Sequence, residues 1–268
     1  MGRVEGKVAF VTGAARGQGR AHALRLAEEG ADIIAVDLCA PVPDLQYPPA
    51  TPDDLAETVK QIEALDRRIV AHQADVRDLA AMTKAVEDGV AQLGGLDIVV
   101  ANAGICIIAD AESTSTEIWK NTIDTNLTGV WNTVQVAVPH LKARGGGSMI
   151  LTSSAAGLVG LPFLTAYIAA KHGVTGLGKA YAIELGRFGI RVNTLHPGGV
   201  DTPMGGMGAA FPEYIEKNPG IVMGGYGVLP ETTTQARDQA NAVLWLASDE
   251  AKFVTGTQVS VDAGMVVC

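Results

Sequence analysis

The sequence predicts an α/β fold in which a doubly wound parallel sheet of seven strands has helices on both faces. Short apolar runs rich in β-branched residues recur along the chain and alternate with helical patterns. Because these runs are apolar throughout, they are typical of strands buried on both faces. The chain has 268 residues, 47% hydrophobic and 18% charged, which suits one large core. We therefore expect residues 1–268 to form a single domain.

Each element of this fold has its own local signal. Strands are expected over residues 8–11, 33–36, 69–71, 98–100, 149–151, 192–195 and 259–261. Helices are expected over residues 20–29, 80–93 and 118–143, each followed by one or more of the glycines that commonly end helices. A further helix over residues 53–66 begins at Thr51, an N-cap residue followed by Pro52 and the acidic Asp54.

Two segments interrupt the alternation of strands and helices. Residues 39–52 contain five prolines and follow the second strand, so we expect a loop. This loop could be a simple linker, or it could cover a ligand, because ligands of open α/β sheets bind at the carboxyl ends of the strands. Residues 198–234 are rich in Gly, Met and Pro and are expected to form an irregular lid over a substrate.

The charge balance disfavours nucleic-acid and membrane partners. Twenty basic and 29 acidic side chains give a net charge of −9, which repels phosphate backbones and anionic lipids. The sequence contains no signal-peptide hydrophobic region and no run of about 18 apolar residues. Its three cysteines and five histidines lack the spacing of a disulfide framework or a metal site. We expect a cytoplasmic protein that binds a small molecule and no metal.

A glycine-rich turn directly follows the first strand. The spacing of Gly13, Gly17 and Gly19 allows a tight turn whose backbone approaches a pyrophosphate at a helix N-terminus. At the end of the second strand, Asp37 can accept hydrogen bonds from both adenosine ribose hydroxyls. This carboxylate favours NAD over NADP, because it would repel the 2′-phosphate of NADP. Arg16 could offset that repulsion only in part. A turn without a ligand and a solvated loop carboxylate are the alternative interpretations.

Tyr167 and Lys171 lie one turn apart on one face of a predicted helix. Moving a phenol pKa from about 10 to about 7 requires roughly 4 kcal/mol of preferential stabilisation of the phenolate. We expect Lys171, together with the positive ring of an oxidised nicotinamide, to supply it. Such a pair is also common on ordinary amphipathic helices. Here Ser154 lies thirteen residues before Tyr167, and Asn126 lies inside the preceding long helix.

These motifs, taken in chain order, resemble the short-chain dehydrogenase/reductase family over essentially the whole chain. The matching motifs are Thr12-Gly13-x-x-x-Gly17-x-Gly19, Asp75-Val76, Asn102-Ala103-Gly104, Asn126, Ser154, Tyr167-x-x-x-Lys171, Pro197-Gly198 with Thr202, and Val261-Asp262-Ala263-Gly264. The resemblance implies a single-domain Rossmann fold and an NAD-dependent oxidoreductase.

The resemblance also implies a role for each site residue. Tyr167 would be the general acid/base, Ser154 would hydrogen-bond the substrate oxygen, and Lys171 would lower the tyrosine pKa and bind the nicotinamide ribose. Asn126 would hold a proton-relay water through a local helix distortion, and Asp75 would contact adenine. The implied cofactor contacts are Gly13, Arg16, Gly17, Gln18, Gly19, Asp37, Leu38, Asp75, Val76, Asn102, Ala103, Gly104, Tyr167, Lys171, Pro197, Gly198, Val200 and Thr202.

Single members of this set have simpler interpretations. Asn126 could bond only the backbone of its own helix, Ser154 could be an ordinary hydroxyl at a strand end, and Asp75 could cap a helix.

The proline-rich segment at 39–52 departs from the common family pattern. It places Asp37 and Asp75 38 residues apart, where many members of the family have fewer residues between the matching positions. Together with residues 13–23 and 66–69, it resembles carveol-dehydrogenase-like actinobacterial enzymes grouped as mycofactocin-coupled. This resemblance implies an NAD that stays bound and passes electrons to a peptide-derived redox carrier, mycofactocin. A loop rooted beside Asp37 could cover the adenosine half and slow its release. By analogy with relatives we expect a homotetramer built through the helices that hold Asn126 and Tyr167.

Apolar residues in and near the expected lid are candidates for a substrate pocket. With Ser154, the set comprises Leu161, Phe163, Met204, Met207 and Phe211. Residues 198–216 contain no Arg or Lys that could bind a substrate carboxylate or phosphate. We therefore expect reversible oxidation of an apolar secondary alcohol, such as the cyclic terpenoid carveol. A steroid-like or 3-oxoacyl substrate with an exchanging NAD, a non-catalytic NAD-sensing or scaffold protein, and simple loop packing of these residues are the alternatives.

Overall fold

The structure is a computed structural model that describes residues 2–206, 211–221 and 227–268. Within these residues, seven strands form one parallel sheet in the order β3-β2-β1-β4-β5-β6-β9, and β7 pairs with β8 in a separate parallel ribbon. The strands are β1 (Val8–Thr12), β2 (Asp32–Asp37), β3 (Ile69–Gln73), β4 (Ile98–Ala101), β5 (Gly147–Thr152), β6 (Ile190–Pro197), β7 (Gly199–Asp201), β8 (Thr233–Gln235) and β9 (Gln258–Val261).

Helices cover both faces of the main sheet, which confirms the predicted fold class. They are α1 (Gly17–Glu28), α2 (Pro52–Glu63), α3 (Leu79–Leu93), α4 (Thr116–Ile123), α5 (Gly129–Arg144), α6 (Thr165–Leu185), α7 (Phe211–Lys217) and α8 (Ala236–Ala247). One core layer packs α1, α2 and α8 against the sheet and includes Leu26 and Ile62. The other packs α3, α5 and α6 and includes Val134 and Val174. Both layers bury apolar residues of the strands, which explains why the strand sequences are apolar throughout.

The strand order brings the functional motifs together at the carboxyl ends of the central strands. The chain reverses its direction of winding between β1 and β4, which is where open α/β sheets form a crevice at the carboxyl ends of their strands. Parallel pairing aligns Thr12 with Val36, and Val11 with Val100. The glycine turn after β1, Asp37 at the end of β2 and Asn102 after β4 are therefore neighbours.

The expected single helix over residues 118–143 is divided in two. A π-helical turn, Asp124–Thr128, lies between α4 and α5, and Gly129 N donates to the carbonyl of Asp124. Such a turn inserts an extra residue into the helix and is frequent at functional sites. The apolar pattern predicts one continuous helix here, and only the family resemblance implied a distortion of the helix at Asn126. The buried Asn126 lies within this turn.

Only the second of the two irregular segments contains more order than the sequence indicates. Thr51 caps α2 as expected, since its hydroxyl accepts from Asp54 N over 3.2 Å while the Asp54 carboxylate accepts from Thr51 N over 2.8 Å. The expected irregular lid at 198–234 instead includes β7, α7 and β8. None of the helices in the described ranges is long and apolar enough to cross a membrane.

Candidate active site

The glycine turn after β1 forms an open cradle at the start of α1. Gly13 and Gly17 have φ angles of +69° and +54°, which non-glycine residues rarely adopt. A Cβ atom at Gly19 would lie 1.8 Å from the carbonyl oxygen of Gly13. No side chain caps α1, and its first turn carries no acidic residue. The first N–H groups of α1 are thus left for an anion such as a pyrophosphate.

Asp37 is held at the end of β2 by backbone donors on either side. Its Oδ2 accepts from Ala15 N over 3.0 Å, and its Oδ1 accepts from Cys39 N over 3.1 Å. The residue is only 9% exposed, so it is not a solvated loop carboxylate. Oδ2 retains a further lone pair, and Oδ1 accepts only a weak second bond, from the Cys39 thiol over 3.7 Å, which a ribose hydroxyl could replace.

A cavity of about 180 Å³ connects the glycine turn with Asp37, and we call it the cofactor cleft. Most of the sequence-predicted cofactor contacts line it, namely Gly13, Arg16, Gly17, Gln18, Gly19, Asp37, Leu38, Asp75, Val76, Asn102, Ala103, Gly104 and Thr202. Its other lining residues include a group from the proline-rich segment that the sequence did not single out, comprising Cys39, Ala40, Val42, Leu45, Tyr47, Pro49 and Ala50. The segment is therefore a wall of the cleft and not a simple linker.

Three contacts anchor residues 39–52, which we call the insertion segment. The Arg16 guanidinium donates to the carbonyl of Pro48. Gln46 exchanges hydrogen bonds with the backbone of Ile108, and Cys106 N donates to the Tyr47 hydroxyl over 3.3 Å. The Arg16 side chain, expected to offset a 2′-phosphate, is instead bound to the insertion segment.

Asp75 lies in the cofactor cleft but does not cap a helix. Asp78 is the N-cap of α3, because its Oδ1 accepts from the backbone N–H groups of Ala80 and Ala81. The Asp75 carboxylate binds the Arg77 guanidinium through both oxygens at 2.6–3.0 Å. Burial acts to raise the pKa of Asp75, but the hydrogen bonds and charge of Arg77 produce a net lowering. Asp75 is therefore an ionised acceptor at neutral pH.

A second cavity, of about 250 Å³, is lined by Ser154, Tyr167 and Lys171 but not by Asn126, and we call it the substrate cavity. The predicted residues that line it are Gln18, Asn102, Gly104, Ser154, Leu161, Tyr167, Lys171, Pro197, Gly198, Val200, Thr202, Met204 and Phe211. Gln18, Asn102, Gly104, Thr202 and Met204 also line the cofactor cleft, so the two cavities adjoin.

Tyr167 and Lys171 occupy this cavity as a buried pair on α6. The Lys171 Nζ lies 5.5 Å from the centroid of the Tyr167 ring. The same ammonium donates to the carbonyl of Thr152 over 2.8 Å, which fixes it at the end of β5. Burial lowers the pKa of Lys171 to about 8.

The chain's own residues do not lower the pKa of Tyr167, so the lowering expected from Lys171 together with an oxidised nicotinamide stays a prediction. Burial raises this pKa, the neighbouring Cys106 and Tyr47 add to the increase, and a hydrogen bond from Ser154 opposes it. Lys171 alone therefore does not make the phenol acidic, because the loss of water around Tyr167 outweighs the favourable interactions of the chain's own residues.

Asn126 binds a different segment of the chain and not its own helix. Its Oδ1 accepts from Ile105 N over 2.8 Å, and its Nδ2 donates to the carbonyl of Ile105 over 2.7 Å. Asn126 is fully buried. It thus ties the π turn to the loop that follows β4, next to Gly104 in both cavities.

The expected substrate residues divide into three groups. Leu161, Met204 and Phe211 line the substrate cavity. Phe163 does not line it, which corrects the prediction; its ring packs behind Phe211, with centroids 6.4 Å apart. Met207 lies outside the described residues.

Several residues of the cavity wall were not predicted from the sequence. They include Cys106, Ala155, Ala156, Leu164 and Met265. Cys106 could have been found, because it follows the Asn102-Ala103-Gly104 motif by two residues and shares its loop. Met265 directly follows the Val261-Asp262-Ala263-Gly264 motif, but only the fold brings it to this cavity.

Comparisons with known proteins agree with this geometry. Residues 7–209 match the family described as short chain dehydrogenase. The chain is 48% identical over 274 residues to (-)-trans-carveol dehydrogenase of Rhodococcus erythropolis, covering 98% of this chain and 99% of the relative. A solved short chain dehydrogenase from Mycobacterium paratuberculosis bound to NAD is 50% identical with a TM-score of 0.97, covering 99% of each chain. Carveol dehydrogenase from Mycobacterium avium in complex with NAD is 50% identical with a TM-score of 0.94, covering 100% of each chain.

Proposed function

The chain belongs to the short-chain dehydrogenase family, and on this premise we propose that it is an NAD-dependent oxidoreductase that interconverts an apolar secondary alcohol and its ketone. The observation that carries the proposal is the arrangement of Ser154, Tyr167 and Lys171 in one buried cavity that adjoins the cofactor cleft. A reacting alcohol in this cavity would lie between proton-transferring groups and a nucleotide site.

The cofactor cleft offers suitable binding groups to both the pyrophosphate and the adenosine ribose of NAD. The uncapped start of α1 and the turn at Gly13 and Gly19 offer N–H groups and space to the pyrophosphate. Asp37 offers two acceptors to the adenosine ribose, and Asp75 with Val76 would flank the adenine. NAD, when bound, supplies the acceptor or donor of the hydride. Two similar structures were solved with NAD, which supports this choice.

Tyr167 would take the proton of the substrate hydroxyl during oxidation and return it during reduction. The Ser154 Oγ accepts from Ala156 N over 3.1 Å, and its own hydrogen, which is directed to Tyr167, would be donated to the substrate oxygen once a substrate is bound. Lys171 would hold the nicotinamide ribose, and the ring charge of oxidised NAD would lower the Tyr167 pKa that burial raises. Because both ends of the Asn126 amide are engaged with Ile105, a proton relay at this residue would use its backbone carbonyl.

The substrate would be an apolar, cyclic secondary alcohol, for which carveol is the proposed representative. Leu161, Met204, Phe211 and Met265 give the cavity an apolar wall. The similarity to the Rhodococcus carveol dehydrogenase supports this substrate class.

The insertion segment is the basis for proposing that NAD stays bound between turnovers. It covers one wall of the cofactor cleft and is anchored to Arg16, Cys106 and Ile108. A retained cofactor needs a second electron carrier to reoxidise it. We propose that a peptide-derived carrier of the mycofactocin type fulfils this role. We also propose that the reaction takes place in the cytoplasm.

We further propose a homotetramer assembled through α5 and α6. Each of these helices presents a large apolar side chain to solvent in the single chain. Trp131 on α5 is 41% exposed and Ile183 on α6 is 86% exposed. Burying such side chains against a second copy would remove apolar surface from water.

The proposed function is tested by purifying the protein without added cofactor, denaturing it and assaying the released NAD. About one equivalent per chain supports a retained cofactor, whereas none favours an ordinary exchanging dehydrogenase.

Carveol, cyclohexanol, a steroid alcohol and a 3-hydroxyacyl thioester are then compared as substrates, with added NAD and separately with an artificial electron acceptor. Turnover of the cyclic alcohols with the acceptor supports the proposal. Preference for the steroid or the thioester contradicts the substrate class. Bound NAD without turnover of any substrate favours a non-catalytic sensor.

A further inference from the structure

A histidine behind the substrate cavity is bonded to the backbone of Ser154. His196, on β6, is fully buried. Its Nδ1 lies 2.8 Å from the carbonyl oxygen of Ser154, and its Nε2 lies 2.8 Å from the hydroxyl of Thr194. A carbonyl oxygen only accepts, so Nδ1 must carry the hydrogen, and in the neutral ring Nε2 then accepts from Thr194. The carbonyl of Ser154 thus determines the tautomer of the neutral ring, because the Thr194 hydroxyl can either donate or accept.

Ser154, which His196 holds, lies between the end of β5 and a short 3₁₀ turn, Ala155–Gly157. Ser154 is extended, and its hydroxyl caps the single 3₁₀ turn that follows it. The preceding Ser153 donates to the carbonyl of Lys171 over 2.8 Å. The end of β5 is therefore attached to α6 through Ser153 and to β6 through His196. These attachments fix Ser154 relative to Lys171 and Tyr167.

We propose that His196 is a positioning residue for the proposed oxidoreductase reaction, in which its Nδ1–H holds the Ser154 backbone so that the Ser154 hydroxyl reaches the substrate oxygen. The inference rests on the proposed function, and it adds a residue that the family motifs do not include. His196 does not itself line the substrate cavity, so it acts through Ser154.

The surroundings of His196 favour its neutral form, which is compatible with this geometry. Burial lowers its pKa, and Lys171 and His172 on α6 act in the same direction. The hydrogen bond to Ser154 and the carboxylate of Asp262, after β9, oppose this lowering without reversing it.

Two amide substitutions separate positioning from simple packing. In His196→Asn, the amide nitrogen takes the place of Nδ1 and can still donate to Ser154, whereas the longer His196→Gln places its amide near Nε2. We expect His196→Gln to lower kcat about tenfold or more, because a displacement of about 1 Å near the chemistry is costly. His196→Asn should retain kcat within about threefold. Thr194→Val is the matched control, since it removes the hydroxyl on the other side of the ring and keeps the Ser154 contact.

A second readout is specific to Ser154. The hydrogen bond from Ser154 lowers the pKa of Tyr167, so displacing Ser154 in His196→Gln should raise that pKa. Because alcohol oxidation needs Tyr167 as a base, the pH profile of oxidation should move to higher pH, with the Kd for NAD unchanged. Equal losses in the Asn and Gln variants, in step with loss of thermal stability and with no change in pH profile, would overturn the proposal.

A third readout is independent of turnover. ¹⁵N NMR of the wild-type protein should show His196 protonated at Nδ1, and a spectrum with the proton at Nε2 would also overturn the proposal. Absence of any wild-type turnover together with the Nδ1 tautomer would contradict the proposed function while leaving the bond to Ser154 intact.

Discussion

The side chain of Gln46 and the backbone of Ile108 form a two-way hydrogen-bonded pair. Ile108 N donates to Gln46 Oε1 over 2.8 Å, and Gln46 Nε2 donates to the Ile108 carbonyl over 3.0 Å. The same carbonyl accepts from the Tyr214 hydroxyl of α7 over 3.2 Å. Ile108, in the loop that follows β4, thus joins the insertion segment, which covers the cofactor cleft, to α7 beside the substrate cavity.

Removing this pair should accelerate the loss of cofactor. We expect Gln46→Ala to increase the rate of NAD release about fivefold to tenfold, because two hydrogen bonds that hold the insertion segment contribute roughly 1 kcal/mol or somewhat more together. Stopped-flow fluorescence of NADH release measures this rate. Gln61→Ala on α2, where the side chain contacts only Glu57 within the same helix, is the control and should release NADH at the wild-type rate.

Removing the Tyr167 hydroxyl should abolish turnover and leave cofactor binding nearly intact. A positioned general acid/base contributes about 10²–10⁴-fold, so Tyr167→Phe should reduce kcat by at least about 100-fold. Steady-state kinetics and NADH titration measure the two effects. Tyr181→Phe, on the same helix, loses only a contact with Gln135 and should behave as wild type. Full activity of Tyr167→Phe would reject its assigned role.

A methyl group at Gly19 should destroy the pyrophosphate cradle. The added Cβ would lie 1.8 Å from the Gly13 carbonyl and 2.9 Å from the Asn102 side chain, so the turn must shift. We expect Gly19→Ala to weaken NAD binding at least about 100-fold by calorimetry. Gly186→Ala is the control, because nothing lies within 4 Å of its added Cβ and its backbone is helical. Equal NAD affinity in the two variants would contradict the assignment of the turn.

The buried His22 should make folding stability depend on pH. Burial lowers its pKa from 6.5 to about 3, with the neighbouring Asn102 acting in the opposite direction. Among the described residues, neither ring nitrogen has a partner at hydrogen-bonding geometry. Because the folded-state pKa is depressed, the stability associated with His22 is present above pH 6.5 and is lost as the pH falls toward about 3.

Replacing His22 should therefore protect the protein in mild acid. Relative to wild type, His22→Leu should gain about 2 kcal/mol in free energy of unfolding between pH 7.5 and pH 5, since each unit below the unfolded pKa costs about 1.4 kcal/mol. Urea unfolding at the two pH values measures the difference, with pH 7.5 as the internal reference. Parallel pH dependence of the two proteins would show that His22 titrates normally.

The proposed tetramer predicts a defect on introducing a charge at α6. Ile183→Glu should shift the protein to dimers or monomers in light scattering, because an unpaired carboxylate would be buried at the contact. Lys60→Gln changes the net charge equally at an exposed position of α2 and should leave the assembly unchanged. Wild-type protein that is monomeric at micromolar concentration would refute the tetramer itself.

Most of the fold could be predicted from the sequence because its signals are local. The apolar strands, the glycine turn and the capping box at Thr51 each depend on residues close together in the chain. The apolar pattern does not indicate the π turn at Asn126, for which only the family resemblance implied a helix distortion, and the partner of Asn126, Ile105, comes from another segment. The same holds for Phe163, whose position behind Phe211 depends on how the lid packs.

The sequence by itself determined the order of the chemical groups along the chain, since spacing such as Tyr167 to Lys171 fixes which side chains share a helix face. The tertiary structure alone decided their environment. Burial raises the Tyr167 pKa, the insertion segment closes one side of the cofactor cleft, and His196 reaches the Ser154 backbone from a neighbouring strand. Desolvation and contacts between distant segments depend on packing in three dimensions, and no local pattern of residues encodes them.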